Sequence, residues 1–216
     1  MQEMINKVFN EDCLETMKRM PDKSIDLVLT DPPYGIGIDG QKEQLNNKNP
    51  KHNRKKHNFK GWDNKTPEYE IFKEIIRISK YQIIWGANYF TDKLGKTTKG
   101  WIVWDKGQRG LTMSDCELCY TSFDMPTRIV TFNRIEIQMD GALHPTQKPE
   151  KLMRYCIDEA LKRDNTIKTI YDPFSGSGTT LVSAKSKGLD FIGSELDKDY
   201  FEIIQKRLSA VQGSLF

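Results

Sequence analysis

Short apolar runs alternate with stretches of helical periodicity along most of this chain. That alternation is its tightest constraint, because it fits α/β folds on a mostly parallel sheet and little else. The runs "MINKVFN", "IDLVLT", "YQIIWG", "KGWIVWDK", "CELCYTSF", "RIVTFNRI", "NTIKTIYD" and "LDFIGSELD" predict strands. Helices are predicted over "EDCLETMKRM", over "TPEYEIFKEIIRISK" with Thr66 as cap and Pro67 in the first turn, and from near Pro149. Two more follow over "TLVSAKSKG", stopped by Gly188, and "KDYFEIIQKRLSAV", while "NYFTDKLG" predicts a short helical piece. Because only "DMPT" separates "CELCYTSF" from "RIVTFNRI", those two strands are expected to form an antiparallel hairpin. The expected architecture is one domain over 1–216, mostly parallel, with helices on both faces of the sheet.

No apolar run reaches the length of a membrane span, and "MQEMINKVFNEDC" has no signal-peptide core, so a soluble, cytoplasmic protein is expected. The cysteines are Cys13, Cys116, Cys119 and Cys156. Strand geometry points Cys116 and Cys119 to opposite faces, and His52, His57 and His144 lack zinc-site spacing. Free thiols and no metal are expected, which suits a reducing compartment. Trp85, Trp101 and Trp104 read as core or anchoring residues, and Trp62 stands near the basic segment as a candidate for stacking.

The net charge of +3 conceals an uneven distribution. Between positions 40 and 60 lie seven basic residues (Lys42, Lys48, Lys51, Arg54, Lys55, Lys56 and Lys60) against the single acid Glu43, so the rest of the chain is net −3. Residues 36–66 lack apolar periodicity and predict a long flexible loop. A basic arm of this kind attracts polyanions, nucleic acid first among them. A solvated, disordered insertion is the other reading of the same residues.

Two motifs fall at predicted strand ends, where open α/β sheets bind ligands. In "DPFSGSGTT", 172–180, Gly176 and Gly178 permit a sharp turn and close ligand approach at a helix N-terminus. Glu195 follows 23 residues after Asp172, the spacing at which an acid receives ribose hydroxyls. The loop lacks the third glycine of G-x-G-x-x-G and the Gly-Lys-Ser/Thr of a P-loop. In "DPPY", 31–34, two prolines stop a strand and fix the carbonyl directions. Asp31 and the Pro32 carbonyl offer two acceptors for both N–H groups of an aromatic amine, a weak nucleophile until polarised. Tyr34 offers a flat face for a base. A merely structural turn accounts for either motif taken alone.

The motifs "DPPY", "HPTQKP" (144–149), "DPFSGSGTT" and "FIGSELDKDYF" (191–201), with "NEDCLETMKRMPDKSIDLVLTDPPYG", together resemble the amino-group DNA methyltransferases that use S-adenosylmethionine. The catalytic tetrapeptide precedes the glycine loop, which resembles the circularly permuted beta group, small phage-like members above all. The resemblance implies a Rossmann-like class I methyltransferase domain. It assigns Asp31, Pro32, Pro33 and Tyr34 to the target amine. It assigns Phe174, Ser175, Gly176, Ser177 and Gly178 to the cofactor's methionine part, with Asp172 and Pro173 at the strand end, Thr179 and Thr180 opening the helix, and Asp31 alongside. Glu195 would take the ribose hydroxyls, Asp12 and Cys13 the adenine, and Thr146 and Lys148 the amino-acid end, with Leu196 also touching the cofactor. Double-stranded DNA is the implied partner, with Lys42, Lys48, Lys51, Arg54, Lys55, Lys56 and Lys60 on its phosphates, and a homodimer is left open. Only residues 105–143 remain for a reduced target-recognition region.

Asp at the first position of the tetrapeptide leans toward adenine N6. Cytosine N4 and RNA acceptors share the chemistry. A nucleic-acid-binding protein that lost catalysis and a dinucleotide oxidoreductase are the readings from other classes; intact Asp31 and glycine loop oppose the first, the missing third glycine the second.

Overall fold

The structure, a computed structural model, describes residues 1–37, 61, 63–95, 98–110, 114–132 and 147–211. Eight strands form one sheet: β1 (Lys7–Phe9), β2 (Ile25–Thr30), β3 (Ser79–Trp85), β4 (Trp101–Asp105), β5 (Cys116–Thr121), β6 (Arg128–Thr131), β7 (Thr169–Asp172) and β8 (Asp190–Ser194). The helices are α1 (Cys13–Lys18), α2 (Tyr69–Ile78), α3 (Glu150–Arg163), α4 (Thr179–Ser186) and α5 (Lys198–Ala210).

The strand order is β1-β8-β7-β2-β3-β5-β4-β6. The first five run parallel, β5 runs antiparallel to both β3 and β4, and β6 lies parallel to β4. Alternation along the parallel strands feeds two cores. Leu27, Leu29, Ile83, Trp85 and Ile170 face α3, α4 and α5, where Leu152, Ile157, Leu181 and Ile204 complete one cluster. Val28, Ile84 and Tyr171 point the other way, onto Met17 of α1 and Phe72, Ile75 and Ile78 of α2. Helices therefore cover both faces, as the sequence pattern requires.

The antiparallel hairpin sits one step from where the sequence places it. β5 pairs with β4, from Trp101↔Tyr120 to Asp105↔Cys116, and not with β6. The "DMPT" connector is no tight turn, because Phe123 and Met125 are drawn into the core. They carry the chain across the start of β4 at Gly100, where an added Cβ would lie 2.5 Å from the Phe123 carbonyl oxygen. Helix α2 also starts later than expected, at Tyr69 with Glu68 in the cap position. Thr66 serves a different bond, its hydroxyl accepting from Lys93 Nζ at 3.0 Å. At the other end the helix gives way directly to β3, where the Ser79 hydroxyl donates back to the Ile75 carbonyl at 2.5 Å.

Candidate active site

The carboxyl ends of β1, β8, β7, β2 and β3 lie side by side along one sheet edge. Each carries part of the predicted site. β1 leads to Asp12 and Cys13, β8 to Glu195 and Leu196, β7 to Asp172 and the glycine loop, and β2 to the Asp31 tetrapeptide. The two motifs, distant in the chain, thus end neighbouring strands. A buried bond joins them, the Thr30 hydroxyl donating to Asp172 Oδ1 at 2.7 Å.

Around Asp31 three polar side chains converge. Lys148 Nζ donates to Asp31 Oδ2 at 2.6 Å, to Glu117 Oε2 at 2.9 Å and to the Tyr34 hydroxyl at 3.0 Å. The Tyr34 hydroxyl donates to Asp31 Oδ1 at 2.5 Å and lies 3.3 Å from Glu117 Oε2. Glu117 is gripped on its other oxygen by Lys106 at 2.7 Å. Burial pushes the Asp31 carboxyl above its ordinary range, opposed by Lys148. Burial acts upward on Glu117 too, but Lys148 and Lys106 overcome it and hold that carboxyl down to about 2. The Tyr34 hydroxyl is pushed well up by burial and by the Asp31 and Glu117 charges, so it stays a donor.

The Tyr34 ring stacks on Tyr89, centroids 4.9 Å apart at 15°. It also packs directly against Gly86, at the end of β3, where any Cβ would come 1.9 Å from Tyr34 Cε1. Gly86 has φ of +67°, so the turn that admits Tyr34 also demands glycine.

The cradle beside this cluster is built from backbone. Gly176 and Gly178 have φ of +52° and +82°, and Gly178 caps α4. Glu195 accepts from the Gly176 amide at 2.7 Å and the Asp197 amide at 2.8 Å, which fixes its carboxylate in the loop's mouth. Burial raises its carboxyl to about 7 and that of Asp172 to about 6. The Phe174 amide donates to Asp172 Oδ1 at 3.0 Å, and the Ser175 hydroxyl donates to the Asp172 carbonyl at 3.0 Å. Gly193 on β8 lets the loop close, since a Cβ there would meet Ser175 Oγ at 2.7 Å. Asp12 caps α1 through the Leu14 amide at 2.8 Å. Asn10 ties that turn to the 195–196 segment, donating to the Glu195 and Leu196 carbonyls at 2.8 and 3.1 Å. Leu196, 74% exposed, leaves an apolar face at the rim.

This donor set suits a nucleoside cofactor. It offers a fixed carboxylate for a diol, a glycine turn that only a backbone can line, and an apolar rim residue beside it. Lys148 lies on the tetrapeptide side of the site. Its ammonium reaches the tetrapeptide, whereas its neighbour Gln147 holds the glycine loop by accepting from the Ser177 hydroxyl at 3.0 Å. Thr146, Trp62 and the seven basic residues from Lys42 to Lys60 lie outside the described residues. Cys116 is exposed, while Cys13, Cys119 and Cys156 are buried free thiols, and burial raises the Cys13 thiol to about 12. Among the described residues no group of three or more His, Cys, Asp and Glu is arranged to hold a metal ion, and no helix is long and apolar enough to cross a membrane.

Three contributors escape a reading of the sequence. Glu117 lies at the start of β5, an antiparallel strand, so its amino end meets the edge where the parallel strands have their carboxyl ends. Lys106 follows β4 onto that same edge. Arg207, from α5, donates to the Ser177 carbonyl at 2.7 Å and to the Ser177 and Thr179 hydroxyls at 3.2 Å. No local motif announces any of them.

A family model described as DNA methylase, of the N6/N4 type, matches residues 79–206. Type II methyltransferase M.HinfI of Haemophilus influenzae is 26% identical over 263 aligned residues, covering 97% of this chain and 70% of that protein. DNA adenine methyltransferase YhdJ of Escherichia coli (strain K12) is 26% identical over 264, covering 93% and 82%. Among solved structures, the M1.HpyAVI–SAM complex shares the fold with a TM-score of 0.59 at 21% identity, covering 93% of this chain and 98% of that one. Matched over more than half its length, and with the strand-end site in place, this chain belongs to the N6/N4 DNA methylase family, the amino-group DNA methyltransferases that use S-adenosylmethionine.

Proposed function

We propose that this chain methylates the exocyclic N6 of adenine in double-stranded DNA, on a base flipped out of the stack. The observation that supports the reading is the adjacency of β2 and β7, which sets Asp31 beside the glycine loop of residues 172–180 across the Thr30–Asp172 bond. S-adenosylmethionine, when bound, supplies an electrophilic sulfonium methyl. Glu195 would accept from its ribose hydroxyls, Leu196 and the Asp12–Cys13 turn would line its adenine, and residues 172–180 would enclose its methionine part.

The chain's own residues act on the base. Asp31 and the Pro32 carbonyl accept from the two N–H groups of the amine, drawing density toward the nitrogen and stabilising its developing positive charge. Asp31 Oδ1 accepts from the Tyr34 hydroxyl. An incoming amine takes over that oxygen, and the tyrosine ring stays as the stacking face. The proton released by the methylated amine leaves through Asp31 to water, so no strong base is required. Adenine is favoured by Asp at the first tetrapeptide position and by likeness to a protein named as a DNA adenine methyltransferase. The basic residues between 42 and 60 would contact DNA phosphates, and 105–143 would serve target recognition.

Incubating defined DNA and RNA with methyl-labelled cofactor, then digesting to nucleosides, tests the reading. Label in N6-methyladenine from duplex DNA is expected. Label confined to N4-methylcytosine, or to RNA, overturns it.

A further inference from the structure

The cluster at Asp31 contains one carboxylate more than amine polarisation requires. Glu117 Oε1 is 2.7 Å from Lys106 and its Oε2 is 2.9 Å from Lys148, whose other bonds go to Asp31 and Tyr34. Two cations and two anions therefore form a neutral chain, Lys106–Glu117–Lys148–Asp31. Lys148 is 5% exposed, so water does little to screen it. Without Glu117, its full charge would fall on Asp31. A carboxylate so engaged is a poorer acceptor for a third donor, and the donor that matters is the target amine.

We propose that Glu117, clamped by Lys106, is a positioning residue for methyl transfer: it takes up the charge of Lys148 so that the Asp31 carboxylate keeps accepting strength for the target amine. This deepens the methyltransferase reading and rests on it for the identity of the amine. The division of labour follows from place. Glu117 has a cation on each oxygen and remains the permanent counter-ion. Asp31 has one cation, one neutral hydroxyl and the neighbouring strand-end cradle, so it is the carboxylate free to exchange partners. The separation of their ionisation follows the same line, Asp31 pushed up by burial and Glu117 held down by its two lysines.

Among the described residues, the charged and titratable groups facing Asp31 are Lys148, Glu117 and Tyr34, with Asp172 and the Cys119 thiol farther off. Of the four charges in the chain, Glu117 and Lys106 can be neutralised without substituting a residue of the tetrapeptide or its direct cation Lys148. Their removal acts in opposite directions. Glu117→Gln leaves the chain of charges at net +1 and lowers the Asp31 pKa. Lys106→Met leaves it at net −1 and raises it.

The test is carbon-13 NMR titration of the Asp31 side-chain carboxyl in the ligand-free full chain, with Asp31→Asn identifying the resonance, alongside steady-state kinetics and calorimetry with S-adenosylmethionine. The expected result is a downward Asp31 shift in Glu117→Gln and an upward one in Lys106→Met. In Glu117→Gln, kcat should fall about ten-fold, with cofactor Kd within two-fold of the parent. Asp31 shifts that are absent, or of the same sign in both variants, overturn the proposal. If Glu117→Gln does not fold, the sign of the Lys106→Met shift decides alone. Because the titration needs no turnover, failure to detect methylated adenine would refute the functional reading while leaving this result to stand or fall by itself.

Discussion

Replacing Gly86 by alanine attacks the site through its backbone. At φ of +67° any L-residue meets the left-handed penalty, about 1–2 kcal/mol. The steric term comes on top. The new Cβ would lie 1.9, 2.4 and 2.5 Å from Tyr34 Cε1, Cζ and Cδ1, where ordinary contact begins at about 3.5 Å. The ring must retreat by more than an ångström. That breaks its 2.5 Å bond to Asp31 and its 3.0 Å bond to Lys148, hydrogen bonds to charged groups being worth about 1.5–3 kcal/mol each. The total loss is therefore about 4–8 kcal/mol.

Gly188→Ala is the matched control, because Gly188 has φ of +70° with nothing within 4 Å of an added Cβ. It should lose only the backbone term, about 1–2 kcal/mol. Urea unfolding of both variants, read by fluorescence, gives the difference. Calorimetry with S-adenosylmethionine should find the Gly86→Ala cradle intact, and methyl transfer should drop at least a hundred-fold. Equal stability losses in the two variants, or wild-type turnover in Gly86→Ala, would refute the placement of Tyr34.

Other consequences follow from the same geometry. Asp31→Asn should lower kcat by about a hundred- to a thousand-fold, the scale set by loss of one preorganised electrostatic contact, with cofactor affinity preserved; undiminished turnover would exclude Asp31 from the chemistry. Burial holds the Glu195 carboxyl up to about 7, so it is protonated below that pH and accepts ribose hydroxyls above it. Cofactor affinity should therefore weaken as pH falls through 7 with proton release on binding just below it, and calorimetry showing no pH dependence would contradict the ribose role. Arg207→Met removes the donor bonds to Ser177 and Thr179 and should raise the cofactor Kd roughly ten-fold; an unchanged Kd would show that the loop holds itself. Neutralising Lys51, Arg54, Lys55 and Lys56 together should flatten the slope of log K against log salt for DNA by about 3–4, and an unchanged slope would remove them from the interface.

Where the signal is local, the residues alone specify the structure. The strand ends at Asp31 and Asp172, the glycine turn and the Gly188 stop are each set by neighbours within a few positions, and all stand where the chain predicts them. Where a distant partner decides, local composition misleads. Thr66 is a good cap by composition, yet Lys93 takes its hydroxyl and α2 begins at Tyr69. "DMPT" is a good turn by composition, yet Phe123 and Met125 belong to the core and β4 comes between β5 and β6. Glu117 was invisible for a related reason. The rule that sites lie at carboxyl ends of strands passes over an antiparallel strand, whose amino end reaches the same edge. Lys148 was legible as a site residue, but its partners Asp31 and Glu117 lie on two other strands' termini and set where its charge goes.

The measurement that bears most directly on the account is a crystal structure of the chain with S-adenosylmethionine bound. The expected result is the sulfonium methyl facing Asp31 across a gap that admits one amine nitrogen, at an attack distance of about 3–3.5 Å from the methyl carbon. A bound methyl directed away from β2, with the glycine loop or Phe174 standing between it and Asp31, would contradict it.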